Sequence, residues 1–509
     1  MTSRTDDGLE GFGYRQQLDR SIGGFASFAA GISYISILTG TFQLFYFGWG
    51  SGGPAYVWSW PLVFLGQLMV ALCFAELAGR YPVAGSVYNW AKRLGSATVS
   101  WMAGWTMLTA SVVTIAAVAL AYQITLPQIW SGFQVYGDGT GTYDSAANAV
   151  VLGGVLILFT TVVNAFGVRL MTRINSAGVV IELVAAVLLV VLLAVNLTNP
   201  PDLLLDTQGT GQGVPGGYLG AFLVAALASG YVMYGFDTAS SLGEETRDPR
   251  RTAPRAILRA ITASFVLGGG ILVLGILAAP DPSDPALGSG TGGLQAIVLQ
   301  SLGSGVGKAF LVSIVVAITV CCLAVHTAAI RVAFAMARDN NLPASRALAR
   351  VHPRFRAPVV PAVVIGVLAL AILLVNVRQP QIFTVVTSIA VAMIYIAYLL
   401  VTVPMLRARL RGDWPPPGAG WFSLGRWGLP VNVVAVLWGA AMATNLLWPR
   451  AAVYNATAPY HWYLRWGGVI AVAAILGGGL LLYRGYQRKR TGVLEAHRLA
   501  PEPDGLAGA

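Results

Sequence analysis

Residues 30–41 read Ala-Gly-Ile-Ser-Tyr-Ile-Ser-Ile-Leu-Thr-Gly-Thr, and residues 229–238 read Ser-Gly-Tyr-Val-Met-Tyr-Gly-Phe-Asp-Thr. Each lies inside a long apolar stretch, yet each carries glycines and hydroxyls that a lipid-facing helix does not need. At membrane depth, backbone that leaves the helix is tolerated only where protein or a water-filled cavity surrounds it. The two stretches therefore mark the interior of a membrane bundle, and their spacing bears on its symmetry.

The rest of the 509-residue chain supports that setting. Hydrophobic residues make up 56% and charged residues only 10%, against about 25% charged in soluble domains, so there is too little polar surface to cover a globule. A span needs about 20 apolar residues. Apolar stretches fall near residues 24–49, 57–79, 97–126, 147–168, 176–197, 219–242, 256–279, 308–330, 358–376, 382–405, 429–448 and 467–483. Twelve membrane spans, with an all-α fold, are the expectation. If the N-terminal tail is cytoplasmic, only Lys308, Arg378, Arg450 and Arg465 of the 32 basic residues fall on the opposite side. That asymmetry is the positive-inside pattern, and an even span count places both tails on the basic side of the plasma membrane. The net charge of +11 thus reflects topology and anionic lipid headgroups, and no nucleic-acid partner is expected.

Gly40 and Gly235 each stand in the first of five consecutive spans. A unit with an odd number of spans is followed by its copy in inverted orientation, the arrangement of alternating-access transporters with discontinuous helices at the midplane. Free amides at a half-helix start attract a carboxylate, and free carbonyls at a half-helix end attract an ammonium or Na⁺. The bland alternative is that these small residues only let helices pack closely. The matched positions favour the functional reading.

Four segments give the chain a resemblance to the amino acid–polyamine–organocation permease superfamily, and to its amino acid/choline branch: the first span with Gly52-Gly53-Pro54; ELAGRYPVAGSVYNWAKRLG at Glu76–Gly95; GFDTASSLGEETRDPRRTAPRAI at Gly235–Ile257; and RVAFAMARDNNLP at Arg331–Pro343. The resemblance implies a leucine-transporter-like fold, with discontinuous spans 1 and 6. The expected division is a cytoplasmic tail at 1–21, a first five-span repeat at 22–197, an inverted second repeat at 218–405, spans 11 and 12 at 406–483, and a second tail at 484–509. It further implies that Leu38-Thr39-Gly40-Thr41 holds a substrate carboxylate through backbone amides, and that Ile35, Ser36 and the segment from Tyr231 through Tyr234 to Gly235 face an amine. Tyr231 or Tyr234 resembles the aromatic that closes over substrate. Leu38 departs from the Gly-Ser-Gly or Gly-Thr-Gly of many relatives.

Few ionisable residues remain inside. A carboxylate at the bilayer centre costs at least about 2.5–3.5 kcal/mol, so each needs a reason. Asp237 is either an N-cap for the second half of span 6 or a contact for a cationic substrate group. Glu182 stands where similar cationic amino acid transporters carry a lysine in place of a sodium ion; it would load a coupling proton, or hold a cation, unless it pairs with Arg173 at the lipid edge. His326 is a second ion-coupling candidate by its intrinsic pKa, though an isolated histidine more often serves the core. Glu76 and Arg80, four apart on one helix, either form an ordinary solvated pair worth about 0–1 kcal/mol or join Arg331, Arg338 and Asp339 as a cytoplasmic gate. Trp101, Trp105, Tyr395 and Tyr398 are candidates for side-chain selectivity.

The expected activity is secondary active transport of an amino acid or a GABA-like, choline-like or polyamine solute, coupled to a proton or to sodium. An ion-independent exchanger and a non-transporting amino acid sensor are the rivals. No enzyme is expected, since phosphate-cradling, metal-ligating and nucleophile-base motifs are missing, and neither a cofactor nor a metal is implied.

Overall fold

The computed structural model describes residues 9–498, apart from residues 19, 291, 356, 376, 379–381, 419, 456, 457 and 459. Its helices are α1 (Gly24–Ile35), α2 (Ile37–Gly52), α3 (Ser59–Arg80), α4 (Ser86–Leu94), α5 (Ala97–Ile129), α6 (Asp144–Ala165), α7 (Val168–Ala194), α8 (Gly217–Val232), α9 (Thr238–Ser241), α10 (Pro249–Leu277), α11 (Gly293–Arg338), α12 (Ser345–Leu348), α13 (Val359–Val375), α14 (Ile382–Leu410), α15 (Gly428–Leu447), α16 (Ala451–Tyr454), α17 (Trp462–Arg465) and α18 (Gly467–Leu482). Among the described residues β-structure is limited to two isolated bridges.

Among the described residues, ten helical segments are long and apolar enough to cross a membrane. Two of the expected stretches hold shorter apolar helices, α8 with 16 residues and α13 with 17. Helix α8 is short because the chain leaves helical geometry at Met233, before Gly235 turns to φ +85°. The helices also overrun the apolar windows. Helix α7 begins at Val168 and α10 at Pro249, both earlier than hydropathy marks them, and α11 runs on to Arg338. Hydropathy falls where charges begin, whereas backbone hydrogen bonding continues to a cap or breaker. Pro249 at the first helical position of α10 suits such a start, where an amide would lack a partner anyway.

The 46-residue α11 is two helices joined at Gly303, whose φ of +77° and ψ of 162° interrupt helical geometry. The first piece lies beside Tyr46 and the short turn Pro285–Gly288; the second packs on α5, α7 and α2. Around the breaks, α1 packs on α10, α7 and α11, α2 on α8 and α11, and α3 on α10, while α5 packs on α6, α11 and α14. One end of the bundle carries both tails, and we call it the tail end. At the far end, a cavity of about 580 Å³ is lined by Tyr46, Gln123, Gln128, Gln134, Phe383 and Thr384, among others.

Candidate functional site

The first break is one residue wide. Ser36, between α1 and α2, has φ 43° and ψ 93°, a left-handed conformation that costs a non-glycine residue about 1–3 kcal/mol unless its surroundings enforce it. The amide of Ser36 still donates to Ile32 O (2.7 Å), which closes α1, and the amide of Gly40 already donates to Ser36 O (2.9 Å). Between them, the first-turn amides of α2 have no acceptor within their own helix. Glu182, on α7 and 1% exposed, fills that gap. Its Oε1 accepts from Ser36 Oγ (2.9 Å) and from Leu38 N (3.2 Å), while Thr39 Oγ1 lies 2.6 Å from Ser36 Oγ. Its Oε2 is buried without a hydrogen-bond partner.

This geometry corrects two expectations. The break is at Ser36, not at Gly40: Leu38, Thr39, Gly40 and Thr41 lie within α2, and Thr41 Oγ1 donates to Ile37 O (2.6 Å). Gly40 is small for a packing reason, because a Cβ there would press on the Val232 side chain of α8. Glu182, in turn, makes no lipid-edge pair with Arg173, which is exposed, and turns inward to the break.

The second break spans several residues. The amide of Gly235 donates to Tyr398 Oη (2.9 Å), and Tyr398 Oη donates to Asp237 Oδ1 (2.6 Å). Ser86 Oγ reaches Asp237 Oδ2 at 3.3 Å and Ser241 Oγ at 2.9 Å. Asp237 occupies the N-cap position of α9, but its side chain caps no helix amide. The N-cap reading therefore fails: the carboxylate is drawn sideways by hydroxyls from α14 and α4. The two breaks meet at Tyr34, because a Cβ on Gly235 would overlap its ring. Tyr34 and Tyr231 each stand edge-on to Tyr234 at 5.9 Å between centroids, and Tyr231 also meets Phe383 of the far-end cavity. Cys321 Sγ donates to Tyr34 O at 3.5 Å, which brings α11 against the first break.

Other residues singled out in the sequence lie elsewhere. His326 is fixed in the core: Nε2 donates to Ala362 O (3.0 Å), and Nδ1 is 3.1 Å from Thr160 Oγ1. Trp101 and Trp105 stack on each other, Trp101 donating to Asn341 O and Trp105 to Ile475 O, so they join α5 to the tail end and to α18 rather than to the breaks. Tyr395 is buried with its hydroxyl 3.9 Å from where a Cβ on Gly230 would stand. Of the four selectivity candidates, Tyr398 alone hydrogen-bonds to a break.

The tail end is held by ion pairs, but with other partners than expected. Glu76 pairs with Arg409, accepts from Trp414 Nε1 and Ser423 Oγ (both 3.3 Å), and lies 3.8 Å from Arg80. Arg80 donates to Pro416 O (3.1 Å). Glu76 and Arg80 thus hold the segment after α14 and do not meet Arg331. Arg331 makes a two-pronged pair with Glu245 (2.9 and 3.1 Å), and Arg338 one with Glu244 (3.1 and 3.0 Å). Glu244 also accepts from Ala84 N (2.9 Å). Asp339 accepts from Tyr14, Tyr88 and Lys92. Glu244 and Glu245 were missed as the partners of these arginines; the signal available was two adjacent acids after a broken span and basic residues seven apart on α11.

These features, a bundle of apolar helices with two broken ones whose breaks touch, can be set beside known proteins. The sequence profile of the amino acid permease family matches residues 22–475. The chain belongs to the amino acid permease family. It is accordingly a multi-pass membrane protein of the amino acid–polyamine–organocation superfamily. The permease is 28% identical to an amino-acid permease of Arabidopsis thaliana over 88% of this chain and 89% of the relative. It is 28% identical to a methylthioribose transporter of Bacillus subtilis over 70% and 76%, and 28% identical to a branched-chain amino acid permease of the same organism over 68% and 72%. As a membrane amino acid transporter by family, the permease places its buried acids Glu182 and Asp237 at the two breaks.

Proposed function

We propose that the chain is a secondary active transporter that moves an amino acid or small amine across the plasma membrane by alternating access, with proton coupling through Glu182. The observation that supports this reading is the buried Glu182 carboxylate, bonded to the break through one oxygen and unpartnered at the other. An anion buried without a counter-ion is costly. A proton, or the cationic part of a solute, relieves that cost when it arrives, which ties occupancy of the site to the geometry of the first break.

On this reading the chain has twelve spans with both tails cytoplasmic, repeats at 22–197 and 218–405, and peripheral spans at 406–483. Helices α1, α2, α3, α8, α9 and α10 rock against α5, α6, α7, α11 and α13. The pairs Arg331–Glu245 and Arg338–Glu244 close the inner side, and their separation is tolerable because the freed charges meet water. Tyr231 and Tyr234 stand between the far-end cavity and the breaks, and Tyr231, which touches the cavity's Phe383, is the better candidate for the closing aromatic. Thr39, with the first-turn amides of α2, would face a carboxylate. His326 is assigned to the core and not to coupling.

The substrate belongs to the range of the relatives' names, with an amino acid as first choice. The test is uptake into reconstituted vesicles across a panel of amino acids, GABA, choline and polyamines. An imposed inward proton gradient should accelerate uptake by the wild-type chain and leave Glu182→Gln unaffected. Equal acceleration of the variant would remove the coupling role; counterflow indifferent to any gradient would identify an exchanger, and ligand binding without flux a sensor.

A further inference from the structure

Both tails fold back onto the ion pairs that close the tail end. The N-terminal tail is hydrogen-bonded to the acidic side: Ile22 N donates to Glu245 O (2.9 Å), Arg247 N to Ile22 O (2.9 Å), and Gln16 Nε2 to Glu244 O (3.0 Å). The C-terminal segment is bonded to the basic side: Leu494 N donates to Arg338 O and Gly492 N to Asp339 O (both 2.9 Å), and Thr491 Oγ1 to Asn341 Oδ1 (2.8 Å). The tails then join each other. Tyr14 bridges to Arg498, Arg15 N donates to His497 O (3.0 Å), and Gln17 Nε2 to Ala496 O (2.7 Å). At the junction, Tyr14 is buried under the Arg338 guanidinium, 3.6 Å from its ring centroid, and donates to Asp339. His497 is buried edge-on to Phe334 of α11.

A continuous connection therefore runs from the Glu244–Glu245 turn through the N-terminal tail and the C-terminal segment to Arg338. It spans the same two elements as the ion pairs and must part when they part. Tyr14, Leu494 and His497 lie outside residues 22–475, the stretch matched by the family profile, so the connection is built from parts beyond the family core. The two bodies it ties are those expected to separate.

We propose that the two tails form an autoinhibitory clasp, in which the C-terminal segment 491–498, seated on the end of α11 and on the N-terminal tail, holds the inner side of the permease closed. This rests on the alternating-access reading above. Release of the segment would leave the N-terminal tail held to the end of α11 by Tyr14, through Asp339 and Arg338, and anything that captures the C-terminal segment would raise the rate of inward opening. Losing one or two net hydrogen bonds shifts a two-state equilibrium by about fivefold to thirtyfold.

The test measures opening without requiring transport. In a background with Cys73, Cys321 and Cys322 replaced by alanine, Ser241→Cys is placed beneath the gate as a reporter, and the reconstituted chain is exposed to a membrane-impermeant maleimide from the tail side. Deleting residues 491–509 should raise the labelling rate by about tenfold, in a chain that still unfolds cooperatively at a somewhat lower thermal midpoint. A disulfide between Asn341→Cys and Thr491→Cys, formed in full-length chain by a mild added oxidant before the reporter is probed, should suppress labelling at position 241, and reduction should restore it there, with labelling at the two released thiols told apart by peptide mapping. Full-length labelling rates in both the deleted and the cross-linked chains would overturn the clasp. Because labelling needs no turnover, a tenfold response with no flux of any solute supports the clasp while removing the transport reading.

Discussion

The two helix breaks solve one problem in different ways. Span 1 breaks at a single residue, Ser36, and its exposed amide end is met by a carboxylate of the chain itself, Glu182. Span 6 opens over a longer segment around a positive-φ glycine, and its acid, Asp237, is bonded by hydroxyls from two other helices. The first is narrow, strained and incompletely satisfied; the second is wide, relaxed by Gly235 and well bonded. This contrast teaches that the two acids are held unequally: Glu182 keeps one oxygen free for a further partner, whereas both oxygens of Asp237 are already bonded.

The comparison breaks most severely at Gly235. Gly235→Ala sets a side chain at φ +85° and into the Tyr34 ring; left-handed strain and overpacking each cost about 1–3 kcal/mol. Detergent-solubilised protein should lose most of its folded yield, and uptake should vanish. Gly40→Ala, at a helical position facing one movable valine, should cost less, and equal damage at both positions would contradict the assignment of the break to Ser36.

Glu182 gives the next largest effect. Glu182→Ala strands Leu38 N and Ser36 Oγ, at about 1–3 kcal/mol, and should lower the thermal midpoint. Glu182→Gln retains an acceptor and should stay close to wild-type stability while losing its response to a proton gradient. If both variants lose stability alike, the charge matters to folding more than to coupling. Tyr398→Phe removes a donor to a buried acid and an acceptor for Gly235 N, about 1.5–3 kcal/mol for a bond to a charged group. Its loss should be non-additive with Asp237→Asn in a double-mutant cycle, and simple additivity would separate the two residues. Ser36→Gly should show the smallest change, since relief of strain offsets the lost hydroxyl bond; Ser36→Ala, which keeps the strain, should be destabilised by about 0.5–1.5 kcal/mol. Thermal-shift measurements on the pair decide it.

Much of the fold is readable from sequence because lipid imposes coarse rules. A carboxylate such as Glu182 inside an apolar run stands out for the same reason. The break at Ser36 is not readable locally: its positive φ is held by a partner 146 residues away, whereas glycine is the local signal for unusual backbone. Glu76 and Arg80 show the same limit. Their four-residue spacing does bring them within 3.8 Å, but the dominant partner is Arg409, 333 positions on. Asp237 stands at the N-cap position that local preference assigns, yet hydroxyls from α4 and α14 outcompete the amides of a helix only four residues long. His326 was better described by the ordinary expectation for a buried histidine, with both ring nitrogens engaged.

Burial holds the imidazole of His497 below its usual value, with Arg338 adding to the effect, so at neutral pH the positive charge of the tail junction is carried by its arginines, Arg15 and Arg498, and not by the histidine. The far end is polar in a different sense. The lining of its cavity consists of amides, hydroxyls and apolar groups, while the carboxylate of Asp144 stands at its rim, accepting from the amide of the lining residue Gly139. On the alternating-access reading a cationic solute approaching that mouth is drawn and an anionic one repelled, and its encounter rate should change as the screening length contracts from about 30 Å at low salt to about 8 Å at physiological salt. The arginine-rich tail end would act with the opposite sign, so ionic strength becomes a probe that tells the two mouths apart.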